Sequence, residues 1–231
     1  MTTYIAFAST QELRRDSMQL LANIDARSKD SQAELMTRII HNFTDEILQA
    51  FFLDMVNLLE LSPFMARVVN GSVTTIRETI HTVSSRILHK LDNRQLTPLS
   101  DYMSSVMLTA NDAQGQPQPY VGFPVHEATE QRLTRLITAM RQGDPKAQRP
   151  ELKAMLNEIT DLSLEIYLLT PIELLKLNFL LRKLAEGSVA VIRGAIHLVI
   201  GRLLPDLDDR QLLEVANYLE GMILRNGRPY R

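Results

Sequence analysis

Two pairs of basic side chains stand one helical turn apart in this chain, Arg77 with His81 and Arg193 with His197. Arginine grips a carboxylate or phosphate in a two-pronged fork, and histidine adds a charge that switches near neutral pH. At a spacing of four residues on a helix, each pair shares one side of it, beside the apolar stripe rather than opposite to it. Two chemistries follow. In the first, each Arg meets a carboxylate such as Asp45 or Asp92 and each His bonds a neighbouring carbonyl, because half-buried charges need partners. In the second, Arg77, His81, Arg193 and His197 face a groove between two halves of the molecule and bind a small anionic ligand.

Other chemistry has less to stand on. A metal shared by His81 and His197 is not expected, since an Arg one turn from each opposes a cation and no His-x-x-x-His or Glu-x-x-His spacing is present. There is no Gly-rich phosphate loop, nucleophile elbow or zincin motif, so no cofactor is expected and catalysis is not the favoured reading. Gly71-Ser72 reads as helix-cap chemistry and not as a nucleophile. Cysteine is absent, which removes disulfides, thiolate metal sites and a thiol nucleophile.

The two pairs lie inside a longer match. Gly71-Ser-Val-Thr-Thr-Ile-Arg-Glu-Thr-Ile-His answers Gly187-Ser-Val-Ala-Val-Ile-Arg-Gly-Ala-Ile-His at an offset of 116 residues. The same offset carries Arg86 to Arg202, Asp92 to Asp208 and Tyr102 to Tyr218 and, more weakly, Asp45 to Asp161 and Tyr4 to Tyr120. This predicts a tandem duplication, with residues 1–112 and 120–231 as two helical repeats and 113–119, in a stretch rich in Gln, Gly and Pro, as a linker. The expected fold is all-α: a unit of roughly five helices, used twice, in two pseudo-twofold-related halves packed together.

Within each copy, a short extended piece (4–7, 120–123), which either pairs as a strand or simply packs, precedes a first helix at about 10–27 or 126–142. Ser31 with Glu34 predicts a capping box, and Thr170-Pro171 with Glu173 predicts a helix start in the second copy. The first copy has Ser62-Pro63 instead, which moves its break eight residues later in the repeat. Gly71 and Gly187 predict tight helix–helix corners, with Ser72 and Ser188 as the next N-caps. Asp92 and Asp208, each with Gln three residues on, open the last helix of each copy.

One face differs between the copies. Thr75, Thr79 and Thr82 stand where the second copy has Val191, Ala195 and Leu198, so a wetted surface becomes an apolar patch that needs a cover. The cover is the 120–123 segment, the first helix, or a second molecule.

The formal charge of −2 divides into about −3 for residues 1–115 and about +1 for the rest. Neither part has the basic surplus of a nucleic-acid binder, and the helix after Gly71 resembles a DNA-reading helix only loosely. The longest apolar run, near 195–204, is broken by His197 and Arg202, so no membrane span is expected. The start of the chain lacks a secretory signal, which makes the cytoplasm the default setting. The expected function is a non-enzymatic adaptor or regulator that acts through protein–protein contacts, with a protein partner or a homodimer. A small-anion binder or enzyme is the alternative, and a DNA-binding regulator comes after that.

Overall fold

The computed structural model describes residues 2–112 and 114–230. Ala113, the first residue of the expected linker, lies outside the described residues, as do Met1 and Arg231 at the ends of the two expected repeats. The chain runs β1 (Thr3–Ala8), α1 (Gln11–Asp25), α2 (Ala33–Leu48), α3 (Asp54–Leu59), α4 (Pro63–Leu88), α5 (Asn93–Val106) and β2 (Met107–Asn111). It continues as β3 (Pro117–Val125), α6 (Glu127–Gln142), α7 (Arg149–Leu164), α8 (Thr170–Leu174), α9 (Phe179–Leu203), α10 (Asp209–Gly221), β4 (Ile223–Leu224) and β5 (Arg228–Pro229).

The molecule is mostly helical, but the all-α expectation is corrected by a five-stranded antiparallel sheet in the order β4-β1-β3-β2-β5. Its strands are short and pair across the whole chain, so no local hairpin pattern announces them, apart from β2 and β3. The expected linker is the turn of that hairpin, and Pro117 to Pro119 already belong to β3. Asp112 organises the turn, its Oδ1 accepting from the amides of Gln114 and Gln116 at 2.9 and 2.8 Å, while Gly115 supplies a φ of 77°. Along β1 the side chains alternate in the usual way. Ile5 and Phe7 enter the main core beside Val121 and Phe123, whereas Tyr4 and Ala6 form a smaller cluster with Leu108 on the other face.

Residues 116 positions apart do the same work in many places. Ala6 faces Gly122 in the central strand pair. A Cβ on Gly122 would stand 2.5 Å from the Ala6 Cβ and 2.9 Å from the Ile5 carbonyl oxygen, so this position takes no side chain at the present strand spacing. Asp92 with Gln95 and Asp208 with Gln211 form full capping boxes, as expected. Glu60 and Lys176 both end their helical runs at positive φ, 46° and 47°. Ser62 and Asn178 then cap the two long helices α4 and α9, accepting from the amides of Met65 and Leu181.

The second-copy break therefore falls at Asn178 and not at Thr170, which continues a helical run whose preceding residue donates no side-chain cap. Ser31 also makes no capping box: Gln32 is the N-cap of α2 and has no side-chain cap bond.

The largest departure concerns Gly71 and Gly187. Neither makes a corner, and α4 and α9 run straight through them. The cause is the apolar stripe. Met65, Val69, Val73 and Ile76 keep helical phase on both sides of Gly71 and are buried throughout. A helix-interior glycine costs about 1 kcal/mol relative to alanine, while burying each such side chain contributes roughly 1.5–3 kcal/mol. The stripe wins.

The two long helices pack antiparallel. Val69 shares a void with Val199 and Leu203, and Ile87 shares one with Ala185 and Val189.

Between α2 and α3, and again between α7 and α8, the helix widens to a π turn, at Gln49–Leu53 and Glu165–Leu169. A π turn carries one extra residue and re-aims side chains and carbonyls. The Tyr102 hydroxyl donates to the Ile166 carbonyl at 2.9 Å, and the Tyr218 hydroxyl donates to the Ala50 carbonyl. Each tyrosine thus reaches the π turn of the other half.

Candidate functional site

Asp45 on α2 faces α4. Its Oδ1 accepts from Arg77 Nε at 2.7 Å and lies 3.7 Å from His81 Nε2. Asp161 on α7 forms the equivalent ion pair with α9, 3.0 Å from Arg193 Nε and 3.6 Å from His197 Nε2, although Arg193 Nε is not aligned to hydrogen-bond it. The histidine separations exceed hydrogen-bond length, and both Nε2 atoms are buried without a hydrogen-bond partner. The first of the two sequence chemistries describes the arginines: each pairs with a carboxylate inside its own half. Neither histidine Nε2 reaches a carbonyl, but a backbone hydrogen bond to His41 acts on the His81 ring, as the first chemistry expects.

The halves then diverge by one side chain. His41 stacks on His81 with ring centroids 3.9 Å apart, and its Nε2 lies 3.3 Å from the His81 carbonyl oxygen and 3.2 Å from Ser85 Oγ. The position 116 residues on is Asn157. Burial holds the His81 pKa below its ordinary value, the nearby His41 adds to the fall, and Asp45 opposes it.

These four basic residues do not converge on a cavity. The voids between the halves, about 80, 100 and 110 Å³, have linings that include none of them. The largest of the three is walled by Phe51 and Phe52 from one π turn and Tyr167 and Leu168 from the other. Such voids fall well short of the ~300–1,000 Å³ of a small-molecule site. The Tyr167 hydroxyl is buried without a hydrogen-bond partner, and burial raises its pKa well above the usual tyrosine value. A wider cleft of about 1030 Å³ lies beside the α1–α2 loop, lined by Arg27, Lys29 and Arg94 but also by Asp25, Asp92 and Asp101. Its mixed charge selects no ion. Among the described residues, no group of three or more His, Asp or Glu is placed to hold a metal.

The outer faces of α4 and α9 differ far more. Between Asn70 and Arg86, the exposed positions of α4 are Gly71, Thr74, Thr75, Glu78 and Thr82. Between Glu186 and Arg202, the exposed positions of α9 are Gly187, Ala190, Val191, Gly194 and Leu198, the same places 116 residues on. Every polar side chain inside the first set has become apolar or absent in the second.

Val191 and Leu198 are 53% and 44% exposed, and neither the 120–123 segment, which is in the sheet, nor the first helix covers them. Ala195 is half-buried against the α4–α9 core, so its place on the patch is taken by Gly194 and Ala190. The sequence reading also missed the start of the ridge, where Phe179, Leu180 and Leu184 stand exposed. Their spacing could have revealed it. Leu180, Leu184, Gly187, Val191, Gly194, Leu198 and Gly201 follow alternating steps of four and three residues, which is one continuous helix face.

The glycines on this face have no reason within the chain. A Cβ at Gly187, Gly194 or Gly201 would meet nothing within 4 Å, and none of the three has a positive φ. Each costs the helix about 1 kcal/mol relative to alanine.

Helix Phe179–Asp206 is long and apolar enough to cross a membrane by length and composition, with a mean hydropathy of 1.5, and 39% of its most apolar window is buried in the fold. A helix packed in the core of a fold passes the same test, so this property does not overturn the sequence expectation.

No family model matches this chain, and no curated protein or solved structure matches it.

Proposed function

We propose that this chain is a non-enzymatic helical interaction protein, a tandem duplicate whose second half exposes the contact surface. The observation that carries the reading is the five-position comparison above: α9 repeats the exposed geometry of α4 with every polar side chain among them removed. Isolated apolar residues on a surface need no explanation, but a continuous uncharged ridge marks a contact site. Val191 and Leu198 belong to that site, with Ala190, Gly194, Leu184 and Leu180 beside them. Ala195 supports it from below. A protein partner fits this surface, and the cytoplasmic setting expected from the sequence belongs to the same proposal.

The paired Arg77–Asp45 and Arg193–Asp161 groups are, in this reading, ties between neighbouring helices. A guanidinium already held by a carboxylate has little left for an anionic ligand.

The test is site-specific photo-crosslinking inside cells. A photoreactive phenylalanine analogue replaces Val191 in one version and Thr75, its equivalent on α4, in another. Adducts with protein are expected at 191 only, and excess wild-type chain should suppress them while the Val191→Thr/Leu198→Thr variant should not. Equal yields at both positions would sink the reading.

A further inference from the structure

The ridge on α9 has two components that alternate. Leu184, Val191 and Leu198 project at seven-residue intervals, and Gly187, Gly194 and Gly201 leave gaps at the same interval. Projections and gaps of one period on one helix are the two sides of a knobs-into-holes contact.

Only one orientation matches them. If two such helices run in parallel, leucine meets leucine and glycine meets glycine, which gives alternating crowding and voids. If they run antiparallel about a point between Ile192 and Arg193, Leu184 of one copy falls opposite Gly201 of the second. Gly187 then meets Leu198, and Val191 meets Gly194. Every layer pairs one large residue with one glycine. We infer that the occupant of the α9 face is a second copy of this chain, docked antiparallel through α9 in an isologous dimer.

Two further features support this choice. The open space at the three glycines, which the fold of one chain does not use, is filled by the second copy's Leu and Val side chains. Isologous pairing also brings the same surface to itself, the commonest arrangement among homo-oligomers. The area suffices. A helix face of 25 residues is about 37 Å long and roughly 10 Å across, so two such faces contribute about 700 Å² before flanking groups are added. Phe179, Lys183, Ala190 and Arg202 are exposed at its sides and ends and carry the total past the ~1,000 Å² of a specific interface. Glycine in the gap lets the helices approach closely, which compensates for the modest width.

The inference rests on the reading of α9 as a contact surface, and its test separates the two. Sedimentation equilibrium of the full chain should give twice the chain mass. Val191→Thr/Leu198→Thr should raise the dissociation constant at least tenfold. Gly194→Leu should yield a folded monomer, because the added side chain meets nothing within its own chain but occupies the gap needed by Val191 of the second copy.

Orientation is read from single cysteines in this cysteine-free chain. Gly187→Cys mixed with Leu198→Cys should form a mixed disulfide, while neither variant alone should link to itself. Self-linking at both positions, or a dimer that survives Gly194→Leu, overturns the inference. A monomeric wild type that still gives competed adducts at position 191 overturns the second copy but leaves the contact surface standing. A monomer without adducts removes both. Flotation of the wild type, but not of the double threonine variant, with phosphatidylcholine vesicles would assign the face to lipid and also overturn the inference.

Discussion

Between the shared Gly71/Gly187 and Arg86/Arg202, α4 and α9 agree at most positions that touch the rest of the molecule and differ at every position exposed to solvent. Inward, Val73, Ile76 and Arg77 are answered by Val189, Ile192 and Arg193, and both arginines reach an aspartate on the helix beside them. Outward, Thr74, Thr75, Glu78 and Thr82 are answered by Ala190, Val191, Gly194 and Leu198. Packing constrains the first set, because interiors tolerate little change in volume or polarity. Nothing in the monomer constrains the second. A face that loses every polar group without any packing demand is responding to something outside the chain.

Exchanging the two faces breaks the comparison most directly. Rewriting α4 with Thr74→Ala, Thr75→Val, Glu78→Gly and Thr82→Leu should give the molecule two sticky faces. The expected result is open-ended assembly, seen as a mass that climbs with concentration in light scattering. A discrete species would show that the α4 surroundings refuse a partner.

The next effect tests the inward agreement. Gly122→Ala places a methyl group against Ala6 and should cost about 1–3 kcal/mol through overpacking, a fall of roughly 2–10 °C in Tm. Adding Ala6→Gly should recover only part of it, since the new methyl group still meets the Ile5 carbonyl oxygen at 2.9 Å. Full recovery would mean that the two strands are not this closely paired.

Tyr102→Phe and Tyr218→Phe should each cost about 1 kcal/mol by removing the hydrogen bond to a π-turn carbonyl of the opposite half. Urea unfolding of the single and double variants should give nearly equal and additive losses. A marked inequality would reveal a functional difference between the two π turns.

The smallest effect concerns His81, which faces His41 and Asp45 on α2 and shares α4 with Arg77. Its folded pKa lies below the ordinary 6.5, so the unfolded chain takes up the proton first as pH falls. The stability contribution is complete above pH 6.5 and is lost as pH drops from there through the folded value. His41→Asn copies the second half, where Asn157 stands, and should reduce the fall in the urea midpoint between pH 7.5 and 5.5. An unchanged slope would place the pH dependence elsewhere.

How far the sequence revealed this molecule depends on how local each cause is. Asp92 with Gln95, and Asp208 with Gln211, were legible because a capping box is complete within four residues. The Arg77–Asp45 tie was legible in kind, because a half-buried guanidinium needs a carboxylate, while the choice between Asp45 and Asp92 needed the structure. Gly71 and Gly187 misled, since glycine before serine reads locally as a stop while the stripe that overrides it extends along the whole helix. The extended pieces 4–7 and 120–123 were legible and lie in the central pair β1–β3, but the full ladder was missed because β1 finds its neighbours far along the chain. The π turns carry no residue pattern that separates them from ordinary helix. On α9 the reading found Val191 and Leu198 but missed Phe179, Leu180, Leu184 and the glycines, since an absent side chain has meaning only once the space around it is known to be open.

That sheet also has a consequence in time. β1, the first strand to be synthesised, lies between β3, made about half a chain later, and β4, made almost a whole chain later. A nascent first half therefore leaves the ribosome with both edges of β1 open until β3 and then β4 have been made. Such long-range closure slows folding and prolongs exposure to wrong partners. A chain built this way needs either quick completion of its own synthesis or a chaperone to shield β1 in the interval.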